Sequence, residues 1–137
     1  DPALIQGDMQ TIQNIMWHYV GLERNADLLW RATRDLTHLW NEIETFYRTT
    51  KLSDGLIGLR NAVEVALIIA QAARHNRKSR GCHFREEHQT TDGECLRNDE
   101  KFAYVAAWEF AGEGKSPVLH KEPLAYEEAH FAQRSYK

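Results

Sequence analysis

One long apolar stripe in the first half of the sequence limits the possible folds more than any other pattern. Between residues 29 and 46, apolar side chains recur at steps of three and four: Leu29, Ala32, Leu36, Leu39, Ile43 and Phe46. This spacing predicts an amphipathic helix with a buried face. Trp30, Trp40 and Tyr47 widen the stripe, so the helix must pack against more than one neighbour. An aromatic ligand-binding face is the alternative interpretation.

A first helix precedes this one. Its apolar residues at helical spacing are Met9, Ile12, Ile15, Met16 and Tyr19. Asp8 is its candidate N-cap, and Gly21 ends or kinks it. Asn25 is the candidate N-cap of the second helix.

A third helix is predicted from about Leu56 to Lys78, with Ser53 or Asp54 as its N-cap. Its predicted face consists of Leu59, Val63, Ala66, Ile69, Ala70 and Ala73. Its basic end suits the negative end of the helix dipole, and it comprises Arg74, His75, Arg77, Lys78 and Arg80. Gly81 is the predicted C-terminal stop.

The tail has a different periodicity. Residues 89–99 are polar and include the turn signal Asp92-Gly93. The alternating residues Phe102, Tyr104, Ala106, Trp108 and Phe110 then predict a strand with one packed face. The segment "PVLHKEPLAYE" is the predicted returning strand. Because an isolated hairpin is only marginally stable in water, it must pack on the helices or on a partner.

These patterns predict a mainly α fold with a small β element. Residues 1–88 form a three-helix antiparallel bundle, up-down-up as in a spectrin repeat. Residues 89–137 form a polar loop and a C-terminal β-hairpin that packs on the bundle, so that the whole is a single domain. The length of 137 residues and the 42% hydrophobic content suffice for one core.

Bulk composition narrows the partners and the compartment. A net charge of −3 gives no general reason to expect nucleic acid. No run of about 18 apolar residues is present, so no membrane span is expected. Cys82 and Cys95 do not form a disulfide framework, and we expect a reducing, cytoplasmic compartment. The chain begins with Asp1-Pro2 rather than with methionine, and we expect a fragment of a longer protein.

Two motifs suggest chemistry that their context does not support. "GEGKS" (Gly112 to Ser116) suggests a phosphate loop, but Glu109 stands where that motif needs glycine, and Pro117 follows. A hairpin turn is therefore predicted there. Glu86 and Glu87 are adjacent and point in different directions, which disfavours a paired-carboxylate acid/base site.

The segment "HNRKSRGCHFREEHQ" (residues 75–89) concentrates polar chemistry. Zinc-type ligands are present at unusual spacing in Cys82, His83, His88 and Cys95, so a small zinc-binding domain is one alternative. A second is anion binding by the basic cluster Arg74, Arg77, Lys78, Arg80 and Arg85. No Ser-His-Asp or Cys-His nucleophile arrangement stands out.

Four segments, "IMWHYVGLER", "EIETFYR", "LIGLRNAVEVALIIAQAA" and "KSRGCHFRE", resemble the C-terminal helical domain of L-aspartate oxidase. That enzyme belongs to the superfamily of succinate dehydrogenase and fumarate reductase flavoproteins, which shares the Ser-Arg-Gly-x-His element found here from Ser79 to His83. The tail, with "FREEHQTTDGECLRNDEKFAYVAAWEF", is more similar to the succinate dehydrogenase and fumarate reductase flavoprotein subunits.

The resemblance implies that this fragment comes from a larger FAD-dependent dicarboxylate oxidoreductase. In that superfamily a Rossmann-like domain binds FAD, a capping domain closes over the substrate, and the helical domain packs against the FAD-binding domain. L-aspartate oxidase converts L-aspartate to iminoaspartate for NAD biosynthesis. A succinate dehydrogenase would pass electrons to an iron–sulfur subunit on the cytoplasmic face of the membrane.

Within that scheme the fragment has a mechanical role. No GxGxxG element is present, and the family's substrate-binding residues lie upstream. We therefore expect no catalytic, cofactor-binding or metal-binding residue here. Arg80, His83 and Arg85 are candidate interdomain anchors, and we expect Arg80 and His83 to pair with nearby backbone carbonyls or carboxylates. We expect an exposed apolar patch larger than a few hundred Å². A free-standing helical interaction module is the alternative of another class.

Overall fold

Three long helices account for most of the computed structural model, which describes residues 1–130 and 132–136. In chain order the elements are α1 (Pro2–Tyr19), β1 (Glu23–Arg24), α2 (Ala26–Thr49), α3 (Asp54–His75), β2 (Phe84–Arg85), α4 (Asp99–Phe102), β3 (Tyr104–Glu109) and β4 (Val118–Pro123). Each long helix contacts the other two. The predicted mainly α class, with a helical bundle followed by a β-hairpin, is confirmed.

Side-chain caps set where the helices begin. Asn25 Oδ1 accepts a hydrogen bond from the Leu28 amide at 2.8 Å, and Ser53 Oγ accepts one from the Leu56 amide at 3.3 Å, as predicted. The prediction that Asp8 caps α1 is wrong, because Asp1 accepts from the Ala3 amide at 2.9 Å. Proline at the first helical position has a helical φ already, so α1 starts one turn or more before Asp8.

The core is formed where the three helices face one another. The predicted stripe of α2 supplies its centre, with these residues buried: Leu29, Ala32, Leu36, Leu39 and Ile43. Phe46 is only half-buried and Trp30 is 47% exposed, so the stripe is narrower than predicted. From α3 the buried residues are Leu56, Leu59, Val63, Ala66, Ala70 and Ala73. Ile69 was predicted to join this face, but it is 44% exposed.

The end of α3 differs from the prediction. The helix stops at His75 rather than near Lys78, with the Asn76 amide donating to the Ala72 carbonyl. Gly81 lies beyond the helix, at φ +57°, in a turn where Arg80 and His83 exchange two backbone hydrogen bonds. Gly81 therefore supplies the left-handed conformation of that turn and does not terminate α3.

The hairpin has the two predicted strands, but both are shorter than predicted. β3 and β4 pair antiparallel from Tyr104 opposite Pro123 to Glu109 opposite Val118. The half-buried residues of β3 alternate with exposed ones and are Tyr104, Ala106 and Trp108. Phe102 instead lies in α4, and Phe110 is 79% exposed, so the predicted strand was too long at both ends. "GEGKS" lies in the connection between the two strands, as predicted.

Side chains dock the hairpin on the end of α3. His75 Nε2 forms a hydrogen bond of 2.7 Å with the Tyr104 hydroxyl. The His75 ring also lies edge-on to the Trp108 ring, with 5.4 Å between the ring centroids. Lys78 Nζ donates to the Phe102 carbonyl at 3.1 Å. These contacts join the tail to the helices, whereas the predicted boundary at residue 88 stays a prediction.

We expected no membrane span, yet α3 is long and apolar enough to cross a membrane by length and composition alone. One such helix is weak support for a span, because the core helix of a soluble protein passes the same test. The apolar residues of α3 lie on two faces, and one of these faces is in the core described above.

Candidate functional site

Residues 79–85, here called the Arg85 turn, connect the end of α3 to β2. Ser79 is fully buried, and its hydroxyl both accepts from the Arg85 amide at 2.8 Å and donates to the Arg85 carbonyl at 3.2 Å. The Ser79 amide donates to the Leu96 carbonyl. A small hydroxyl side chain therefore closes the turn from inside, with its polar groups satisfied.

Arg85 is the buried cation of this turn, with only 4% of its surface exposed. One terminal guanidinium nitrogen lies 3.3–3.4 Å from three carbonyl oxygens at the end of α3, those of Ala73, Arg74 and Asn76. Its Nε donates to Glu87 at 3.1 Å. The last carbonyls of a helix lack intrahelical hydrogen-bond partners. Arg85, which is distant in sequence, supplies a donor to these carbonyls at the end of α3.

Glu87 extends the same network to the start of α2. Its carboxylate accepts from the Ala26 amide as well as from Arg85. Partial burial raises the pKa of Glu87, but the hydrogen bonds from Ala26 and Arg85 outweigh that effect, and the pKa lies below its usual value. A negative charge at a helix N-terminus is favourable, so Arg85 and Glu87 together tie the end of α3 to the start of α2.

His83 is held in one tautomer. Its Nε2 lies 2.8 Å from the Asn76 carbonyl, which can only accept, so Nε2 carries the proton. Its Nδ1 then accepts from Arg24 at 2.9 Å. Burial lowers the pKa of His83 below its ordinary value; the hydrogen bond with the Asn76 carbonyl opposes this shift, and the nearby positive charges of Arg24 and Arg85 add to it. The neutral ring is therefore the folded form at neutral pH.

Arg80 binds a carboxylate outside the turn. Its guanidinium donates to Asp99 at 2.8 Å, and Asp99 also accepts from Arg97 at 3.0 Å. The Arg80 Nε is buried and has no hydrogen-bond partner among the described residues. Arg80, His83 and Arg85 thus pair with carbonyls and carboxylates, and these partners belong to this chain. Their role as interdomain anchors stays a prediction.

The structure disperses the metal ligands suggested by the sequence. Among residues 1–130 and 132–136, no group of three or more His, Cys, Asp or Glu side chains could hold a metal ion. Cys82 is exposed on the turn, and His83 is occupied by Arg24 and Asn76. The four-ligand zinc site is therefore not assembled in the described part of the chain.

The predicted basic cluster is split in two. Arg80 and Arg85 belong to the Arg85 turn, with acidic partners in Asp99 and Glu87. Arg74 and Arg77 instead line an open cavity of about 670 Å³ between α3 and the hairpin. Glu86 and Glu87 both reach the start of α2, where Glu86 accepts from the Asn25 side chain and Glu87 from the Ala26 amide, so their predicted divergence is not seen in these contacts.

Helix α3 has a second apolar face, which was not predicted from the sequence. Ile57, Val65, Ile68 and Ile69, here called the outer face of α3, are between 39% and 55% exposed. At about 100° per residue, Ile57, Val65 and Ile68 lie on the side of the helix opposite the core residues, and Ile69 lies at the edge between the two faces. Helical angles separate Ile57, Val65 and Ile68 from the core residues, whereas Ile69 lies next to Ala73 at the edge of the core face, and the exposure of its side chain does not follow from its angle.

Comparison with known proteins assigns the fold to a family. The family model described as the fumarate reductase flavoprotein C-terminal region matches residues 9–136. The chain belongs to this family. The resemblance of both the helices and the tail to flavoproteins of this superfamily is thereby confirmed.

Within this family the chain is similar to several L-aspartate oxidases. It is 37% identical to the enzyme of Yersinia pestis over 60% of this chain and 15% of the relative. It is 37% identical to that of Pseudomonas aeruginosa over 61% and 16%, and 38% identical to that of Halobacterium salinarum over 64% and 18%. The chain therefore spans 15–18% of the length of these curated relatives.

The described residues of this flavoprotein C-terminal domain do not fit FAD. A dinucleotide site needs a parallel sheet and a glycine-rich turn from a strand into a helix. Here each sheet has two strands, and the parallel one pairs only two residues of each strand. The positive-φ glycines lie in turns between short elements or within the hairpin connection. A Rossmann-type FAD site is therefore not formed by the described residues.

Proposed function

We propose that this chain is the non-catalytic C-terminal domain of an L-aspartate oxidase and that it buttresses the FAD-binding domain of that enzyme. Membership of the flavoprotein family and similarity to L-aspartate oxidases support this assignment. The observation that carries the mechanical role is the outer face of α3. The core covers one apolar face of α3, whereas among the described residues Val65 and Ile68 on the other side stay 55% exposed, although Ile68 also borders a cavity beside Trp108 and Phe110.

The outer face is suited to docking because it is apolar and lies on a rigid element. Val65, Ile68 and Ile69 are more than two-fifths exposed and lie within two turns of one another. The opposite face of α3 packs into the core, so the outer residues have fixed positions. Because about half of each side chain is already covered, its burial against the FAD-binding domain would gain about 1 kcal/mol.

The Arg85 turn supports the same role from the end of the helix. Arg85 holds the last carbonyls of α3, and Glu87 holds the first amide of α2. This network keeps the two helices in fixed register, so that the outer face is presented as one rigid surface. Displacements of about 1 Å in a substrate site reduce rates strongly, so a rigid support has a functional effect at a distance.

In the whole enzyme, the proposed reaction is oxidation of L-aspartate to iminoaspartate, in the cytoplasm, for NAD biosynthesis. FAD accepts the hydride when bound elsewhere in the protein, and this chain contributes no group to that step. Two free cysteines agree with a reducing compartment. The alternative is a succinate dehydrogenase or fumarate reductase flavoprotein subunit with an iron–sulfur partner. Membership of a family named for fumarate reductase favours this alternative.

The docking role is tested by Val65→Lys in the complete gene product. Val65 is 55% exposed, so a lysine there leaves the fold of this chain intact but opposes burial against another domain. We expect the purified variant to retain less than about a tenth of the wild-type flavin after dialysis, measured by its visible absorbance. The matched control is Val105→Lys, at a 48% exposed position on the hairpin. Equal flavin retention in both variants would contradict the docking role.

The substrate is tested separately on the same protein. The wild-type gene product is assayed with L-aspartate and with succinate, following flavin reduction without an added acceptor. Reduction by L-aspartate alone is the expected result. Reduction by succinate alone would replace the proposal with the succinate dehydrogenase alternative.

A further inference from the structure

We propose that the open cavity between α3 and the hairpin is a binding site for a small multivalent phosphate compound. The cavity has a volume of about 670 Å³, within the range of small-molecule sites. Its charged lining residues are Arg74, Arg77, Lys101 and Lys121, with His75 and the Tyr104 hydroxyl beside them. The inference goes beyond the proposed function and does not depend on it.

The charge of the cavity opposes the charge of the chain. The sequence carries a net charge of −3, yet four cations and none of the described carboxylates line this cavity. None of the four cations forms an ion pair with another described residue. Burial lowers the pKa of His75, and the neighbouring charges, which are all positive, lower it further. The cavity is therefore a local region of positive potential.

The end of a helix normally repels anions, because its last carbonyls carry partial negative charge. Here Arg85 already donates to the carbonyls of Ala73, Arg74 and Asn76 from the other side of the chain. The side chains of Arg74 and Arg77 are consequently not needed to neutralise the helix end. Both are exposed and remain available to a ligand.

The arrangement of donors favours phosphate over a simple carboxylate. Arg74 and Arg77 are three residues apart on one side of the chain, and each offers a planar fork that binds two oxygens of one phosphoryl group. Lys101 and Lys121 add point charges from α4 and β4. Four cations match a ligand with two phosphoryl groups better than a dicarboxylate. The Phe102 ring adds an apolar wall for an organic substituent.

The test is titration of the complete gene product with pyrophosphate, inorganic phosphate and succinate, followed by calorimetry and by the NMR signal of His75. We expect pyrophosphate to bind most tightly and to raise the pKa of His75, because a bound anion favours the charged imidazolium. Arg74→Gln with Arg77→Gln should weaken pyrophosphate binding by about tenfold or more.

The matched control is Arg31→Gln with Arg34→Gln, which removes the same charge at the same spacing from α2. This pair should leave binding within about twofold of wild type. Equal weakening by both pairs would mean that only net charge matters and would overturn the site. A His75 shift with succinate as large as the shift with pyrophosphate would overturn the phosphate assignment, as would pyrophosphate binding that leaves His75 unchanged.

Discussion

Arg85 makes more hydrogen bonds than any other charged side chain of the Arg85 turn. It is buried, and it connects three carbonyls of α3 to a carboxylate that caps α2. Burying a charged side chain costs free energy unless its donors form hydrogen bonds. Removing such a side chain leaves the groups that it paired with buried and without a partner. Ser79, Arg85 and Glu87 therefore form one cooperative hydrogen-bonded unit.

Arg85→Ala should lower the free energy of unfolding by about 3 kcal/mol, because it leaves the carbonyls of α3 and the Glu87 carboxylate without their donor. Arg85→Lys should recover only part of this loss, since a single ammonium cannot reproduce the fork. Urea unfolding followed by circular dichroism measures both. The control is Arg77→Ala, an exposed arginine of the same segment, which should change stability by less than about 0.5 kcal/mol.

His83 should make stability depend on pH. Its pKa is lowered in the folded state from the ordinary 6.5, chiefly by burial; the hydrogen bond with the Asn76 carbonyl opposes this shift, and Arg24 and other cations add to it. His83 therefore favours folding above pH 6.5, and this contribution is lost as the pH falls from 6.5 through the folded pKa. His83→Gln keeps a neutral donor and acceptor at all pH values.

Urea unfolding of both proteins between about pH 7.5 and 5 checks this prediction. Wild type should lose stability relative to His83→Gln as the pH falls. A constant difference between the two proteins across that range would show that His83 does not titrate differently on folding. The NMR titration of His83 should give a midpoint below 6.5 in the same range.

Helices α2 and α3 use their faces differently. α2 buries one stripe, whereas α3 buries one stripe and exposes another. The paired faces carry the core, since α2 and α3 form the most extensive helix–helix contact. The inner faces of the two helices therefore stabilise the fold, whereas the outer face of α3 contributes little to it and is available for docking.

Leu36→Ala tests the inner face. Leu36 is fully buried at the centre of the stripe, and its truncation should cost about 3 kcal/mol of unfolding free energy through lost transfer energy and a cavity. Leu52→Ala is the matched control, because Leu52 is 54% exposed in the break between α2 and α3. Thermal unfolding of both should show a clear shift for Leu36→Ala alone, and comparable shifts would contradict the assigned core.

The predictable parts of the fold are those encoded locally. The stripe of α2 and the caps Asn25 and Ser53 depend on spacing and on residues next to the helix, so the sequence was sufficient. The end of α3 was misjudged because its carbonyls are satisfied by Arg85, which is distant along the chain. Pairing of β1 with β2 was missed because two residues are too few to show a period.

In the candidate site, too, the residues themselves could be predicted from the sequence but their distant partners could not. Arg80 and His83 were expected to pair with carbonyls or carboxylates as interdomain anchors, and both have such partners within this chain, while the anchoring itself stays a prediction. Their partners Asp99 and Asn76 could not be predicted, because the turn at Gly81 brings together segments that no local pattern connects. The separation of Arg74 and Arg77 from the rest of the basic cluster has the same origin.

The whole molecule consists of a helical bundle with a hairpin docked at one end. Aromatic rings make this junction: His75 lies edge-on to Phe102, Tyr104 and Trp108. An ion pair between Arg48 and Glu113 adds a second, exposed contact at 3.3 Å. Exposed ion pairs contribute little, so the rings at His75 hold the tail on the bundle.

Trp108→Ala should loosen the hairpin without unfolding the helices. Loss of the ring contact with His75 should speed amide hydrogen exchange in β3 and β4 by about tenfold, while exchange in α2 and α3 stays unchanged. Val105→Ala, on the exposed face of the same strand, is the control. Equal acceleration in both variants would show that strand propensity, not docking, sets the exchange rate.

The short pairing of β1 with β2 also has a kinetic consequence. Arg24 and His83, which meet beside it, are 59 residues apart in sequence, and α2 and α3 lie in the intervening loop. Closing so long a loop for two pairs of residues is unfavourable until α2 and α3 have docked and brought its ends together. We expect this closure to follow the rate-limiting step of folding. Substitutions in the Arg85 turn should then accelerate unfolding and leave the folding rate nearly unchanged.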